Sequence, residues 1–436
     1  MSSRRLLIVA VAGLFSSAAQ AQTTWYVDDD NCPGPGDGTP GNPYCSIQTA
    51  IDNAVDTDEI IVAPGTYFET IDFLGKAVAL LSSEGSAVTI IDGTGNFHVV
   101  QCVSDEGPDT VLDGFTITGG NANGSYPDAC GGGMFNHDSS PTVTNCRFTG
   151  NAADDHGGGM YSDGGSPMVT HCTFEGNSAF PWGGGMCNFN ADPTVTDCTF
   201  SGNTAGKGGG MYNLNNSPTL TDCTFEINTA SAGGGGMSNR GSSLTVTNCS
   251  FKGNTTVGWY GGGMSNFESA LTLTDCAFSG NRAYQSGGGI SSWDSSLTMT
   301  DCTFSGNTAD YGGGGMYNVD VSSLAMTDCT FSGNTADYGG GGMYNRNSSP
   351  TVTDCKFERN TAHDHGGAVL NDEDSSPHIT DSFFCENTPG HIWGGWSDGG
   401  DNKFSEFCPR LDFDVSGDGW VNDVLDLIGY WGPYPR

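Results

Sequence analysis

The densest chemistry in the sequence lies near its C-terminus, where LDFDVSGDGWVNDVLDL sets oxygen-bearing side chains two residues apart around glycines. Alternating oxygens with a glycine bend wrap a hard cation, and a carboxylate in the twelfth place closes the shell, so this stretch is expected to bind calcium. Two registers serve: one starts at Asp414 and uses Ser416 and Asp418, with Asp426 one place late; the other starts at Asp412 and uses Asp414, Ser416 and, in twelfth place, Asp423. A second group is carboxylates in copied loops: Asp310 and Asp337 in TADY, and Asp364 in TAHDHGG, with Tyr311, Tyr338, His363 and His365 beside them. Neighbours in such a column can approach the ~5 Å separation of a retaining glycosidase pair. Catalytic acid and base need two different environments, however, and copies of one turn supply the same environment several times. A solvated acidic turn is therefore the favoured reading. Asp275, Asp301, Asp328, Asp354 and Asp381 form a further column; like charges opposite one another on paired strands repel, so this column is expected to splay into water, form local turns or share calcium.

Rings are the third resource. In the recurring GGGMYN the Met is expected to point inward and its successor outward, so Phe135, Tyr161, Tyr212, Tyr317 and Tyr344 should form an interrupted row suited to stacking on sugars or on a protein partner; packing across the strands that strengthens the sheet is the favoured reading. Trp182, Trp259, Tyr260 and Trp293 fall in or beside turns.

The elements that position these residues are read from repetition. CTFSGNTADYGGGGMYN occurs at 302–318 and again at 329–345, and the rhythm extends far beyond this copy. Cysteines recur from Cys146 to Cys355 in steps of 25 to 27, accompanied by Phe148 to Phe384, Asn151 to Asn387 and Met134 to Val369. Apolar positions two apart, as in Cys302 and Phe304, have strand spacing, and Gly, Asn, Asp and Ser separate them as turns. A unit of this size cannot bury its apolar side alone, so each strand must pair in parallel with its copy one coil away. The expected fold is all-β: a right-handed parallel β-helix of about 12 coils of about 26 residues, the hand being that of nearly all parallel crossovers. Stacking then makes core columns of Cys, Phe, Val and Met, and an amide ladder of the Asn series at a bend. The column cysteines read as packed thiols; Cys32 with Cys45, Cys385 with Cys408, and Cys102 with Cys130 lie outside the column and are the disulfide candidates.

Residues 1–21 carry Arg4, Arg5, an apolar run and an Ala19-Gln20-Ala21 cleavage site, a secretory signal peptide. Four segments are expected after it: an N-terminal cap at 22–57 with SIQTAIDNAV as a short helix, the β-helix at 58–390, a C-terminal cap at 391–410, and the calcium segment at 411–436. Loss of Arg4 and Arg5 takes the 14 basic side chains to 12, against 50 acidic. That balance excludes nucleic acid and anionic membrane as partners and favours divalent cations. No further apolar run reaches the ~18 residues of a membrane span. The expected address is extracellular or cell-surface; the oligomeric state is open.

DEIIVAPGTYFE, TIIDG and VLDGFTITGGNA resemble the pectin-lyase-like right-handed β-helix superfamily, in the form found in secreted bacterial repeat proteins. GGGM with FTGN at 148–151 and FSGN at 304–307 and 331–334 is similar to the repeats of polymorphic outer membrane proteins, which are adhesins. The C-terminal loop resembles an EF-hand, more closely a dockerin, although a dockerin carries two loops and this chain one. These resemblances imply a structural or adhesive protein, non-catalytic, carrying carbohydrate or a cell-surface component as partner. They also imply an alternative: a polysaccharide lyase or glycoside hydrolase. A lyase needs a base beside an acidic cluster, and the basic residues are scattered. Arg240 and Arg346 share a coil position but stand four coils, roughly 19 Å, apart. An enzyme's site would fall where the repeat breaks, at 121–130, 154–159 and 363–368.

Overall fold

Each coil is turned by residues that accept a left-handed backbone. In the coil beginning at Thr142, the strand Thr142–Thr144 turns at Asn145 (φ 52°) into Arg147–Thr149; Gly150 (φ 64°) then turns it into the two-residue strand Ala152–Ala153. A loop through Gly157 (φ 66°) leads to Met160–Asp163 and so to the next coil. The computed structural model describes residues 22–408 apart from Ser322. The segment read as a signal peptide and the residues expected to bind calcium, Asp412, Asp414, Ser416, Asp418, Asp423 and Asp426, lie outside the described residues.

Strands pair in parallel with the coil before them, Val143 with Val169, Phe148 with Phe174, Met160 with Met186, and among the described residues the register shifts between Ala205 and Lys207 and between Ile379 and Thr380. Among the described residues this builds four sheets of 15, 14, 10 and 13 strands, named first to fourth in the order a coil meets them. The solenoid expected from the repeat is therefore the fold. Its core is a set of columns. Phenylalanine rings from Phe148 to Phe384 stack 4.5 to 4.9 Å apart with planes within 5°. Each buried ring is worth roughly 1.5–3 kcal/mol over exposure.

The asparagine series lines the bend after the second sheet, wholly buried from Asn151 to Asn360. Asn177 is typical. Its Nδ2 donates to Phe148 O of the preceding coil (2.9 Å) and to Asn203 Oδ1 of the next (3.1 Å). Its Oδ1 accepts from the backbone N–H and Nδ2 of Asn151 (3.0 and 3.2 Å). Two bonds given and two accepted satisfy the amide where water cannot reach.

The glycine runs are scaffold as well. A Cβ on Gly159 would lie 2.4 Å from Gly185 O and 2.9 Å from Phe174 Cδ1, too close for any side chain.

A short helix covers the N-terminal end. The helix Ile47–Asn53 buries Ile47, Ala50 and Ile51; Ser46 Oγ accepts from Thr49 N–H, and Glu69 receives Ser46 Oγ–H with the N–H groups of Ile47 and Gln48 at the positive helix end. Thr24–Val27, within the segment read as a cap, adds in parallel to Glu59–Val62. At the far end, Ile392–Trp393, Ser397–Gly400 and Lys403–Ser405 pair in parallel with the coil before them. Stacking thus continues past residue 390 into the segment read from the sequence as a separate cap: strand pairing outlasts the sequence repeat because backbone bonds need no particular side chain.

Two substitutions test this account. Asn254→Ala removes the acceptor for Asn228 N–H and Nδ2 and the donor to Phe225 O and Asn281; it should cost about 3 kcal/mol or more in denaturant unfolding. Ile227 holds φ 56° where most coils have glycine, and its side chain is exposed. Ile227→Gly should therefore stabilise by about 1 kcal/mol.

Candidate functional site

The copying fails on one side of the solenoid. Just before the glycine runs stand Cys130, His156, Trp182, Lys207, Gly233, Tyr260, Ser286, Gly312, Gly339 and His365, a different side chain at nearly every level. From His156 to Lys207 and from Gly233 to His365 these positions bridge in parallel. The residue after the Met column varies too: Phe135, Tyr161, Cys187, Tyr212, Ser238, Ser265, Ser291, Tyr317, Tyr344 and Leu370. Both columns face the same space outside the fourth sheet, as Trp182 stacking on Tyr212 shows (5.1 Å, 10°).

Here the structure corrects the sequence. Tyr161, Tyr212, Tyr317 and Tyr344, with Phe135, do point away from the Met column, but they are buried, from 0% exposed for Tyr161 to 8% for Tyr344. Phe135, Tyr161, Cys187 and Tyr212 pack into one satellite cluster with Trp182 and Phe189; Tyr317, Val319, Tyr344 and Leu370 pack into a second with Tyr260, Trp293 and Tyr338. The loops before the glycine runs fold back over them. Strand alternation reports which face a residue takes and is silent about what covers that face.

Between the clusters the tyrosines give way to Ser238, Ser265 and Ser291, and a groove opens. Its volume is about 590 Å³. Ser238 and Ser265 lie in it, Trp259, Tyr260, Phe267 and Trp293 supply rings, and Lys207 and Arg240 supply charge. The lining residues come from four successive coils, a length of about 14 Å at 4.8 Å per coil. Trp259 is 59% exposed, Tyr260 and Trp293 meet at 5.3 Å, and the Arg240 guanidinium lies over Phe267 at 5.4 Å. Trp293 Nε1 is buried without a hydrogen-bond partner. Burial, and the charge of Arg240 nearby, lower the Lys207 pKa from its ordinary value. The groove is an open, ring-lined slot with two cations in a chain of formal net charge −36. The signal legible in the sequence was the run of serine at three consecutive levels where tyrosine is otherwise common.

The remaining candidates are elsewhere. Asp310 is gripped by Arg282 (2.8 and 3.1 Å) and Asp364 lies beside His363 (2.8 Å), while Asp337 sits on the same exposed turn one coil from Asp310. Tyr311 and Tyr338 stack there at 4.9 Å. Asp275, Asp301, Asp328, Asp354 and Asp381 are exposed and left-handed, with φ of 51 to 55°. The turn after the first sheet thus supplies a backbone reason for Asp or Asn at this position that needs no cation.

Cys32–Cys45 and Cys385–Cys408 are disulfide-bonded. Cys102 and Cys130 are not joined; each is a free buried thiol, as are the nine column cysteines and Cys187. Column sulfurs take part in backbone bonds instead, as where Cys172 N–H donates to Cys198 Sγ (3.4 Å) and Cys198 S–H to Thr196 O (3.2 Å). The stretches 121–130 and 154–159 meet on adjacent levels, whereas 363–368 lies at the other end, where His365 stacks on Trp393 (4.3 Å).

The family model described as right handed beta helix region matches residues 82–270 and 238–406, most of the chain, so the chain belongs to the right-handed β-helix family. Among solved structures it is similar to pectate lyase Pel9A, at 14% identity over 80% of this chain and 77% of that one (TM-score 0.39). It is also similar to PfbA, a surface adhesin of Streptococcus pneumoniae, at 11% identity over 87% and 93% (TM-score 0.39). The bacteriophage CBA120 tailspike protein 3 matches at 11% identity over 88% and 62% (TM-score 0.37). These likenesses concern the fold. No curated protein matches the chain. No helix among the described residues is long and apolar enough to cross a membrane.

The thiol assignment is directly measurable. The native protein should react negligibly with a water-soluble disulfide reagent. After unfolding without reductant, 12 thiols should titrate and the four cysteines of the two disulfides should not.

Proposed function

We propose that this chain is a secreted or cell-surface β-helix that binds carbohydrate without transforming it, and that the sugar lies in the groove between the two aromatic clusters. One observation carries the reading: Trp259, Tyr260, Phe267 and Trp293 present rings along an open slot at the levels where the tyrosine column is replaced by serine. Ring faces stack on the apolar faces of sugars, and polar groups between them fix orientation. Gln285, which is exposed, lines the same slot. Lys207 and Arg240 favour a sugar bearing carboxylate or sulfate. The acidic surface around them repels a dense polyanion, so the preferred ligand is a largely neutral polysaccharide with widely spaced acid groups.

Affinity electrophoresis of the mature protein through unsubstituted xylan, glucuronic-acid-substituted xylan and polygalacturonate tests this. Retardation should be greatest in the substituted xylan. Trp259→Ala should weaken binding about tenfold, a loss of ~1.4 kcal/mol, and Ser265→Tyr should close the groove as Tyr212 and Tyr317 do at their levels. Arg240→Ala should erase the preference for the substituted chain. Equal retardation of the Trp259→Ala variant and the parent, or none in any gel, would sink the reading.

Calcium is the second component of the proposal, held by the acidic loop at 412–426. Titration calorimetry should show a calcium site that Asp414→Ala with Asp418→Ala removes, with unchanged retardation in the sugar gels.

A further inference from the structure

The meeting of 121–130 with 154–159 assembles a group of another kind. Cys130, Asp155 and His156 each bring one ligand atom, and the three atoms lie within 4.8 Å of one another. Cys130 is fully buried, His156 is 7% exposed, and Asp155 reaches toward solvent. The backbone fixes the two loops on either side: Asp155 N–H donates to Ala129 O (2.9 Å), and Gly131 N–H donates to His156 O (2.7 Å). The imidazole is clamped by rings, stacking on Trp182 (4.6 Å, 12°) and against Phe189 (4.8 Å).

The telling atom is His156 Nδ1. It is buried and has no hydrogen-bond partner, yet Asp155 Oδ1 is 3.1 Å away. The pair is an ionic contact without the alignment of a hydrogen bond, so the direction in which the nitrogen would donate or accept is left unfilled. An unpaired buried nitrogen is costly in the absence of something to satisfy it.

We infer that Cys130, Asp155 and His156 bind one divalent transition-metal cation of the zinc type. Thiolate, imidazole and carboxylate together suit zinc, whose ~2.0–2.3 Å bonds in a tetrahedron set donors roughly 3.3–3.8 Å apart. That spacing fits inside the observed 4.8 Å limit, and the partly exposed Asp155 side leaves the fourth position to water. Binding exchanges the Cys130 S–H bond for a sulfur–metal bond and releases the proton to solvent; nothing is oxidised or reduced. The sulfur separates this site from the all-oxygen calcium loop, since hard cations avoid thiolate.

Cobalt(II) added to the full mature protein tests the inference, because a thiolate-bound tetrahedral cobalt ion shows a near-ultraviolet sulfur-to-metal band with visible d–d bands. One equivalent should develop both, and zinc should bleach them. Cys130→Ser should abolish the sulfur band and lower affinity about 100-fold; Asp155→Asn, on the exposed side, should lower it at least tenfold with unchanged far-ultraviolet circular dichroism. Cobalt binding without the sulfur band, as an acidic loop alone would give, overturns the proposal. So does a sulfur band that survives in Cys130→Ser, or no stoichiometric uptake at all.

Discussion

The buried asparagine amide is the interaction on which the rest of the molecule depends. Each one is satisfied by the asparagines of the coils above and below together with backbone groups of the preceding coil, so no single member can change without stranding its neighbours. The ladder closes at its start because Gly120 N–H donates to Asn151 Oδ1 (3.0 Å). A second, interrupted ladder on the fourth sheet shows what a gap costs. Asn136, Asn188 and Asn318 begin its separate runs, and each has a buried carbonyl oxygen with no partner. Ser162 and Ser292 stand at the interruptions before the latter two. Breaks of this sort are tolerated on the fourth sheet and do not occur at the bend.

Uniformity inside forces individuality outside. With the core columns committed to stacking, side chains can differ from coil to coil only on outer faces and in the loops before the glycine runs. Two results follow on one face: aromatic clusters that roof the fourth sheet, and a groove where Ser238 and Ser265 leave the roof unbuilt. The soft-ligand cluster at Cys130 sits at the margin of the first cluster, so its imidazole is buffered from water by the same rings that bury Tyr161.

The sequence made the scaffold legible because stacking writes the same constraint at every level. Phe, Asn, Met and Cys recur at fixed offsets, and two-residue spacing identifies the strands that carry them. The site was less legible because it is defined by departures from the pattern, and a departure has no period. Tyr161 and Tyr344 were assigned the right face and the wrong environment, since nothing local says that the loop before the next glycine run returns over them. For the column from Asp275 to Asp381 the sequence left solvated carboxylates, local turns and shared calcium side by side, because charge is visible in letters, whereas a left-handed φ is not. Cys102 and Cys130 were matched as the cysteines outside the column; Cys130 in fact meets Asp155 and His156 from the next coil, a partner set that only the register between two irregular loops reveals.

The identical blocks 302–318 and 329–345 are adjacent coils, paired through Phe304 with Phe331 and Met316 with Met343. Each presents above it the same surface it receives from below, so a whole coil is the smallest unit that can be inserted or removed with no mismatch at either face. Length in this protein is therefore quantised. Unequal recombination within the coding repeat can lengthen or shorten the rod in single steps at little folding cost, provided the exchange falls among interchangeable coils. The groove and the Cys130 cluster are built from coils that are not interchangeable, and so they stay fixed landmarks on a rod whose overall reach is free to drift.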